Sequence, residues 1–486
     1  MGKKRRKHLR SGTGISRREF VGRSAAAAAF TIVPSSFLVR NAKAAPSQKV
    51  QVACIGVGEQ GRGDMENLMN VDAVRVTAVC DACRVVDYAN HGGLGVSNPN
   101  AKIAGLDAAL RRVEQRYSED GGDGKGCTGY QDFREMLDKE GDNIDAVMVA
   151  TPDHVHAAAC LAAINKGKHV FCEKPLAHSI YETRLVADAA KKMGVITQMG
   201  NQGHSGEGIR LTVEWIRDGA IGNISEIHSR DCTGATDWLT HGVNRPKETP
   251  PVPDGWDWDL WLGPAAERPY HPAYAPFNWR GWWAFGNGCI ADAACHHLDP
   301  AFWALDLGPP TSVEGTSTGI TEETAPRGAV YTFQFPAKGD RQGVKVMWYS
   351  GTERPPRPKG LEEDRKAYVD GIHFVGDEGT IICPGWGGPP RIVPEAKMRA
   401  YLPKRPEKTI PRVDGHHKGW IDAIIKGEQV HGGFDYSGPM TEAVLLGAAA
   451  LRTGKKLLWD SENMKATNAP EADRFIKPEF RDGWGL

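Results

Sequence analysis

This sequence has no formal net charge, few long apolar runs and a single paired cysteine motif. Lys plus Arg and Asp plus Glu both total 60 among 486 residues, so the formal net charge is zero. Such a balance offers no electrostatic argument for a nucleic-acid or acidic-membrane partner, and it favours a small neutral or modestly charged ligand. Beyond the amino-terminal region, no run reaches the ~18 apolar residues that a membrane span requires.

Ten cysteines are too few for a disulfide scaffold in a chain of this length. Most lie within apolar segments, where cysteine behaves as a small hydrophobic residue, so we predict mostly buried thiols. Cys80 and Cys83 form one CxxC pair, but no second pair follows. His154 and His156 stand two apart at a predicted helix start, where histidines more often cap the helix or line a cofactor than bind metal. No metal site is predicted.

The amino terminus has the composition of a targeting segment. A basic stretch precedes Arg17 and Arg18, a weakly apolar run extends from Ala25 to Val33, and Ala42-Lys43-Ala44 follows. This order predicts a twin-arginine export signal that is cut after Ala44, and a periplasmic or extracytoplasmic location. A disordered basic tail or a nuclear-type run of basic residues is the alternative. We therefore expect no folded structure in residues 1–48.

A glycine-rich loop follows the first predicted strand. Val50 to Ile55 is a short apolar run, and Gly56, Gly58 and Gly61 come directly after it. Between a strand and a helix, this spacing serves a tight turn and close approach to a pyrophosphate. A second strand ends at Asp81, whose carboxylate favours NAD, whereas nearby Arg84 leaves NADP as the alternative.

Strands and helices then alternate up to residue 203, which predicts a doubly wound parallel sheet, a Rossmann domain, over residues 49–203. The strand from Lys168 to Cys172 is followed by Glu173-Lys174-Pro175, so Lys174 is expected at the carboxyl edge of the sheet, where such folds bind ligands. Gln202 follows a later strand, within the polar segment 200–204, and this segment is predicted to form the rim of the nicotinamide site.

Residues 204–486 have a different pattern. A loop rich in tryptophan is predicted to form binding walls, with one or two of its tryptophans touching ligand. Several strand-like segments after residue 312 predict a mostly antiparallel open sheet with helices on one face. Asp292 and His296 stand four apart at the start of a helix and therefore share one face. The simpler interpretation is that Asp292 caps the helix and His296 is a satisfied buried histidine.

Four motifs in this order resemble the Gfo/Idh/MocA family of oxidoreductases. They are the glycine loop at 56–61, Thr151-Pro152 with His156, Glu173-Lys174-Pro175, and Asp292 with His296 and Asp299. The resemblance extends over residues 50 to about 465. Ala294 stands where the family usually has glycine, a change that affects local packing only.

The resemblance implies a role for each matched residue. Lys174 would position substrate and cofactor, Asp292 would bind a sugar hydroxyl, and His296 would exchange the hydroxyl proton, so Lys174 and His296 are the predicted catalytic residues. Substrate would contact Asp292, Lys174 and Gln202. The predicted cofactor-binding residues are Gly56, Gly58, Gly61, Asp81, Thr151, Pro152, His156, Glu173 and Lys174. A homo-oligomer, dimer or tetramer, is also implied.

These features together predict an exported NAD(P)-dependent oxidoreductase that acts on a sugar, polyol or glycoside hydroxyl and keeps its cofactor bound. Hydride transfer from a secondary alcohol needs a proton acceptor close to the oxygen, and histidine suits that task near neutral pH. Two alternatives stay open. One is an NAD-dependent enzyme that cleaves glycosides by oxidation and elimination, and the other is a non-catalytic sugar-binding protein.

Overall fold

The predicted alternation of strands and helices is present in the computed structural model, which describes residues 49–88, 103–233 and 239–486. The predicted export signal, residues 1–48, lies outside the described residues. The strands of the amino-terminal half are β1 (Val50–Ile55), β2 (Val74–Cys80), β3 (Val86–Asp87), β4 (Ile103–Ala104), β5 (Thr128–Tyr130), β6 (Ala146–Val149), β7 (His169–Glu173) and β8 (Thr197–Gly200).

Six of these strands form a parallel sheet in the order β5-β2-β1-β6-β7-β8. The chain builds outward from β1 through β2 to β5, and then crosses to β6 on the other side of β1. The carboxyl ends of β1 and β6 therefore face the crevice where doubly wound sheets bind ligands. This topology confirms the predicted Rossmann fold and brings the segments after β1, β2, β6 and β7 to one edge.

Helices cover both faces of this sheet, which explains why its central strands are apolar throughout. All four residues of β6 are buried. The side chain of Ser179 caps one helix by accepting a hydrogen bond from the Glu182 amide, and Asp132 caps another through the Arg134 amide. The helices are α1 (Glu59–Met69), α2 (Leu106–Glu119), α3 (Phe133–Glu140), α4 (Asp153–Asn165) and α5 (Ile180–Met193).

The second sheet has nine strands among the described residues, in the order β15-β14-β13-β9-β12-β11-β10-β16-β17. Only β9 and β12 pair in parallel, so the predicted mostly antiparallel sheet is confirmed. Its strands are β9 (Ile224–Asp231), β10 (Ser312–Thr318), β11 (Gly328–Phe335), β12 (Val344–Gly351), β13 (Gly371–Gly376), β14 (Thr380–Pro384), β15 (Arg391–Val393), β16 (Leu457–Asp460) and β17 (Lys465–Ala466).

The helices that accompany this sheet carry part of the predicted site. They are α6 (Glu207–Arg217), α7 (Trp258–Leu262), α8 (Gly288–His297), α9 (Asp299–Leu305), α10 (Glu395–Tyr401), α11 (His416–Lys426), α12 (Phe434–Thr453) and α13 (Asp473–Ile476). Every residue of α8 is buried. This helix packs beside β9 and β12 and against α12, so its side chains have fixed positions.

Helix α11 belongs by sequence to the predicted carboxyl-terminal domain, residues 204–486, but it packs against the amino-terminal domain. Trp420 is fully buried, and its ring centroid lies 5.8 Å from that of Phe171 on β7. Ile421 and Ile424 join the same apolar cluster as β1 and β2. The next helix, α12, packs against α5. These contacts join the two sheets firmly, because an interface made of buried apolar side chains resists relative motion.

The thiol prediction is confirmed, since eight of the ten cysteines are buried and Cys127 and Cys232 are partly buried. Within the described residues, none of the helices combines the length and the apolar character needed to cross a bilayer. The homo-oligomer stays a prediction.

Candidate active site

A cleft of about 620 Å³ lies between the carboxyl edge of the parallel sheet and helix α8. Every predicted site residue except Gly61 lines it. Those residues are Gly56, Gly58, Asp81, Thr151, Pro152, His156, Glu173, Lys174, Gln202, Asp292 and His296. The strand ends of the first domain and one helix of the second therefore contribute to a single cavity.

The glycine loop has the geometry that close approach of a ligand requires. Gly56 has φ +79, and a Cβ there would lie 2.6 Å from the Ala150 carbonyl carbon. A Cβ at Gly61 would lie 1.9 Å from the Gly56 oxygen, so this glycine serves packing of helix against loop and does not line the cleft. No side chain caps α1 at Gly58. The Glu59 amide, the first of α1, donates to the Tyr88 hydroxyl, so a phosphate would bind at this helix end beside that hydroxyl or in its place.

Asp81 joins the loop to the end of β2. Its Oδ2 accepts a hydrogen bond from the Val57 amide at 2.9 Å, and Oδ1 accepts one from Cys83 at 2.9 Å. Burial raises the pKa of Asp81 to about 6, although both hydrogen bonds oppose the shift. Arg84 pairs with Asp107 at 2.8 Å and does not line the cleft. With this arginine paired elsewhere, the carboxylate favours a ribose hydroxyl and hence NAD over NADP.

Four buried charges connect the two domains. Lys174 Nζ lies 2.6 Å from Asp292 Oδ1, and Arg280 Nε lies 3.0 Å from the same oxygen. Arg280 also reaches Asp153 at 2.9 Å. Burial alone would raise the pKa of Asp292, but Lys174 and Arg280 hold it below its usual value. Asp292 is thus ionised, and within the described chain its Oδ2 has no hydrogen bond, which leaves that atom available to a ligand hydroxyl.

His296 lies one helical turn from Asp292 and is buried, yet neither of its ring nitrogens has a hydrogen-bond partner in the described chain. Burial lowers the pKa of His296 well below 6.5, and the Lys174 ammonium lowers it further. The ring is therefore neutral and able to accept a proton. Buried polar atoms usually have partners, so two such nitrogens on a residue that lines the cleft indicate that a ligand completes the site. The interpretation of His296 as a satisfied core histidine is wrong.

Glu173 and Gln202 form a pair on one wall. Gln202 Nε2 donates to Glu173 Oε1 at 2.7 Å, so Gln202 can offer a ligand its amide oxygen. Burial raises the pKa of Glu173 well above its usual value, and Asp64 adds to the shift. The hydrogen bond from Gln202 holds the buried Glu173 carboxyl group in place, and this group forms the cleft wall beside Lys174.

His156 was predicted to bind cofactor, but its ring nitrogens face backbone carbonyls. Nδ1 lies 2.7 Å from the Pro175 oxygen and Nε2 lies 2.8 Å from the Thr151 oxygen. Burial lowers its pKa to about 4, so the ring is neutral and donates to one of the two carbonyls. His156 therefore fixes the Thr151-Pro152 segment relative to Lys174-Pro175, and its contribution to the cleft is positional.

The rim predicted from residues 200–204 is only partly present. Gln202 lines the cleft, but Asn201 and His204 are buried and turn towards Asp299. Asn201 Nδ2 donates to Asp299 at 2.8 Å, and His204 Nδ1 lies 2.9 Å from the same carboxylate. Asp299, the last residue of the family motif, thus anchors the end of α8 and the start of α9 and does not face the cleft.

Several cleft residues were not predicted. Arg280 lies in the tryptophan-rich loop, 127 positions from its partner Asp153, and no sequence pattern marks such a pairing. Asp231 at the end of β9, Asp370 before β13 and Trp386 after β14 also line the cleft. Two tryptophans of the predicted loop, Trp261 and Trp279, line the cleft, and contact of one or two loop tryptophans with ligand stays a prediction. No group of three or more metal-ligating side chains is found in the parts of the chain that the structure describes.

Comparison with known proteins identifies two family models of Gfo/Idh/MocA oxidoreductases. Residues 98–201 match the model described as oxidoreductase family, NAD-binding Rossmann fold. Residues 210–327 match the model described as oxidoreductase family, C-terminal alpha/beta domain. The glycine loop precedes the first match, so its assignment depends on the geometry given above.

Two curated relatives and one solved structure illustrate the similarity. The chain is 26% identical over 271 residues to 1,5-anhydro-D-fructose reductase of Ensifer adhaerens, which covers 55% of this chain and 63% of the relative. It is 26% identical over 181 residues to a glycosyl hydrolase family 109 protein of Shewanella woodyi, covering 36% of this chain and 32% of that protein. The chain thus spans less than two thirds of the length of either relative.

The WlbA dehydrogenase from Bordetella pertussis, solved in complex with NADH and UDP-GlcNAcA, superposes with a TM-score of 0.54. The sequences are 17% identical, and the alignment covers 85% of this chain and 99% of that structure. At this identity the likeness shows the fold alone. It agrees with the arrangement of a parallel sheet followed by a mostly antiparallel one.

The glycine loop can be tested directly by NAD binding. Gly56→Ala would place a methyl group against the backbone of Ala150 at a φ that L-residues rarely adopt, so the loop must shift. We expect NAD affinity to fall by at least roughly tenfold, measured by calorimetry on protein whose circular dichroism is unchanged. Gly308→Ala is the control, because this glycine lies outside the cleft and a Cβ there meets no atom within 4 Å. Equal NAD affinity for the two variants would contradict the assignment.

Proposed function

We propose that this chain, which carries both domains of the Gfo/Idh/MocA oxidoreductase family, is an NAD-dependent oxidoreductase acting on a hydroxyl group of a sugar, polyol or glycoside. One observation carries the proposal. The neutral, unpartnered His296 lies in the same cleft as the glycine loop, one turn from an aspartate that holds the Lys174 ammonium at 2.6 Å. A base, a cation and a nucleotide cradle in one cavity are what alcohol oxidation requires.

The residues that would hold NAD are the glycine loop, Asp81 and the Thr151-Pro152 segment. A bound NAD would supply the hydride acceptor for the carbon that carries the substrate hydroxyl. The chain supplies the rest. His296 takes the hydroxyl proton on a ring nitrogen that has no other partner, and Lys174 stabilises negative charge on the substrate oxygen. Asp292 holds Lys174 through Oδ1 and can accept a hydrogen bond from a neighbouring hydroxyl through Oδ2.

The charges of the cleft favour an uncharged substrate. Among the described residues that line it, the only lysine and arginine are Lys174 and Arg280, and both are paired with carboxylates. Asp231 and Asp370 add further acceptors for hydroxyl groups. A phosphorylated or carboxylated sugar would find no cation free to balance its charge. This balance of charges in the cleft supports a neutral carbohydrate as the substrate.

Substitution of the two catalytic side chains tests the reaction. We expect His296→Ala and Lys174→Met each to lower kcat by about 10²- to 10⁴-fold, since each removes a group that acts on the substrate oxygen. Turnover is followed by NADH absorbance with the sugars that the unaltered protein oxidises. NAD binding should persist in His296→Ala, and Lys192→Met, a change at an exposed lysine of α5, should leave turnover unchanged. Normal turnover by both site variants would refute the proposal.

Glycoside cleavage is the second candidate, and the similarity to the glycosyl hydrolase family 109 protein favours it. Some glycosidases use NAD in place of two catalytic carboxylates. The same assays separate the candidates. A cleaving enzyme releases the aglycone from an aryl glycoside without net change in NADH, whereas a dehydrogenase accumulates NADH from a free sugar. Ligand binding without either activity would indicate a sugar-binding protein.

Retention of the cofactor through turnover is part of the proposal. Trp484 lines the cleft and packs against Phe133, with ring centroids 6.0 Å apart. Phe133 lies close to Tyr130, whose carbonyl accepts a hydrogen bond from the Asp81 amide. Arg481 holds the carboxyl-terminal segment that carries Trp484 in place, by donating to the Gly263 oxygen at 2.9 Å and to the Asp259 oxygen at 2.7 Å. We expect this wall to slow dissociation wherever its contacts must break before a ligand leaves.

Mass spectrometry of nucleotide released from denatured protein measures retention. We expect the unaltered protein to carry NAD after purification, and Trp484→Ala to release it at least roughly tenfold faster, because a buried aromatic wall is lost. Phe480→Ala is the matched control, since this aromatic residue of the same segment does not line the cleft. Nucleotide-free protein that exchanges NAD within milliseconds would rule out retention.

Export of the folded protein with NAD already bound would explain why the cofactor is retained, because free nicotinamide nucleotide is not expected outside the inner membrane. In a host with a twin-arginine translocase, we expect the mature protein in the periplasm with Ala45 as its first residue. Conversion of Arg17 and Arg18 to lysine should keep it in the cytoplasm, as measured by cell fractionation and amino-terminal sequencing. Lys4→Gln, outside the arginine pair, is the control. A cytoplasmic location with both arginines intact would contradict export.

A further inference from the structure

Trp386 has an unusual backbone for a bulky residue. It lies in the turn between β14 and β15 with φ 62, in the left-handed region that favours glycine, and 52% of its surface is exposed. A side chain of this size rarely adopts this conformation. Such backbone strain persists only where the surroundings enforce it, and it is concentrated at functional sites.

The surroundings do enforce this conformation. A Cβ at Gly203 would lie 2.7 Å from the Trp386 oxygen, and a Cβ at Gly387 would lie 2.9 Å from the Gly203 oxygen. On the other side, a Cβ at Gly385 would lie 2.7 Å from His297 Nε2. The turn is thus packed backbone to backbone against the segment at residue 203 and against the end of α8. Trp386 has a fixed position at the cleft.

The indole ring lies over the catalytic histidine. Its centroid is 4.1 Å from that of His296, with the planes at 44°, and 5.6 Å from that of His297. Because 52% of the surface of the residue is still exposed, contact with the histidines covers only part of it. Trp386 also lines the cleft, together with Lys174 and Asp292. A core or purely structural role would bury the ring more completely.

We propose that Trp386 is the specificity-determining platform of the cleft, on which the apolar C–H face of a cyclic sugar stacks while its hydroxyl meets His296. This inference depends on the proposed function and names the substrate class as a neutral pyranose or furanose ring. Sugars present apolar faces as well as hydroxyl groups, and a fixed aromatic ring binds such a face with little loss of conformational entropy. The same ring excludes water from His296.

Kinetics of Trp386 variants test the platform. We expect Trp386→Ala to raise KM for a cyclic sugar at least roughly tenfold, with a smaller change for an acyclic polyol, whereas Trp386→Phe retains most of the affinity. Trp386→Asn serves as a second variant, because asparagine tolerates a positive φ better than alanine and so removes the ring with less backbone strain. Tyr368→Ala, at an aromatic residue that is 46% exposed outside this cleft, is the control.

The pH dependence of kcat/KM is a further measurement, and it would not change if Trp386 had only a structural role. The charged and titratable groups around His296 are Lys174, His297, His416 and Arg280, with Asp292 one helical turn away, and all remain in the variants. Only hydration of the ring changes when the indole is removed. The pKa of His296 then rises towards 6.5, so the acid limb of kcat/KM should shift to higher pH in Trp386→Ala and not in Trp386→Phe.

The outcomes separate this inference from the proposed function. If the unaltered protein oxidises sugars and Trp386→Ala and Trp386→Asn keep the same KM and acid limb, the platform is overturned and the function stands. If these variants change only the oligomeric state, measured by light scattering, Trp386 is an interface residue and the inference is again overturned. If the unaltered protein neither binds nor turns over any sugar, the proposed function fails, and the inference fails with it.

Discussion

The ion pair between Lys174 and Asp292 is the contact on which the site depends. The two side chains are 12% and 7% exposed, and they join the end of a parallel strand to a helix of the second domain. Removing water from either charge alone would be costly, so each requires the other. Arg280 and Asp153 extend the pair to two cations and two carboxylates, which allows four charges to be buried without a net charge.

This network also sets the state of His296. Two cations close to a buried imidazole penalise its protonation, in addition to the penalty from burial itself. The ring is therefore kept neutral while an ammonium group stays nearby to stabilise negative charge. Burial and this arrangement of charges thus produce both a base and an electrostatic stabiliser, and the stabiliser would be lost if Lys174 were unpaired and pointed to solvent.

The same cleft contains features that a purely structural region would avoid. His296 has two nitrogens without partners, and Trp386 has a strained backbone. Proteins accept such local costs where the surrounding packing is strong enough to hold them. Here that packing comes from the fully buried helix α8 and from α11, whose Trp420 joins the core of the first domain.

The amino-acid sequence by itself determined the features encoded in short continuous segments. The glycine loop, Asp81 and Lys174 follow from the position of strand ends, and Asp292 with His296 follows from helical spacing, because backbone periodicity places these side chains without knowledge of distant residues. Only the tertiary structure decided that Arg280 pairs with Asp153, that His204 turns to Asp299, that His156 holds two carbonyls, and that Trp386 covers His296. These contacts join residues that are far apart in the chain or held in an uncommon backbone conformation, and they arise from the packing of whole elements, which no local pattern encodes.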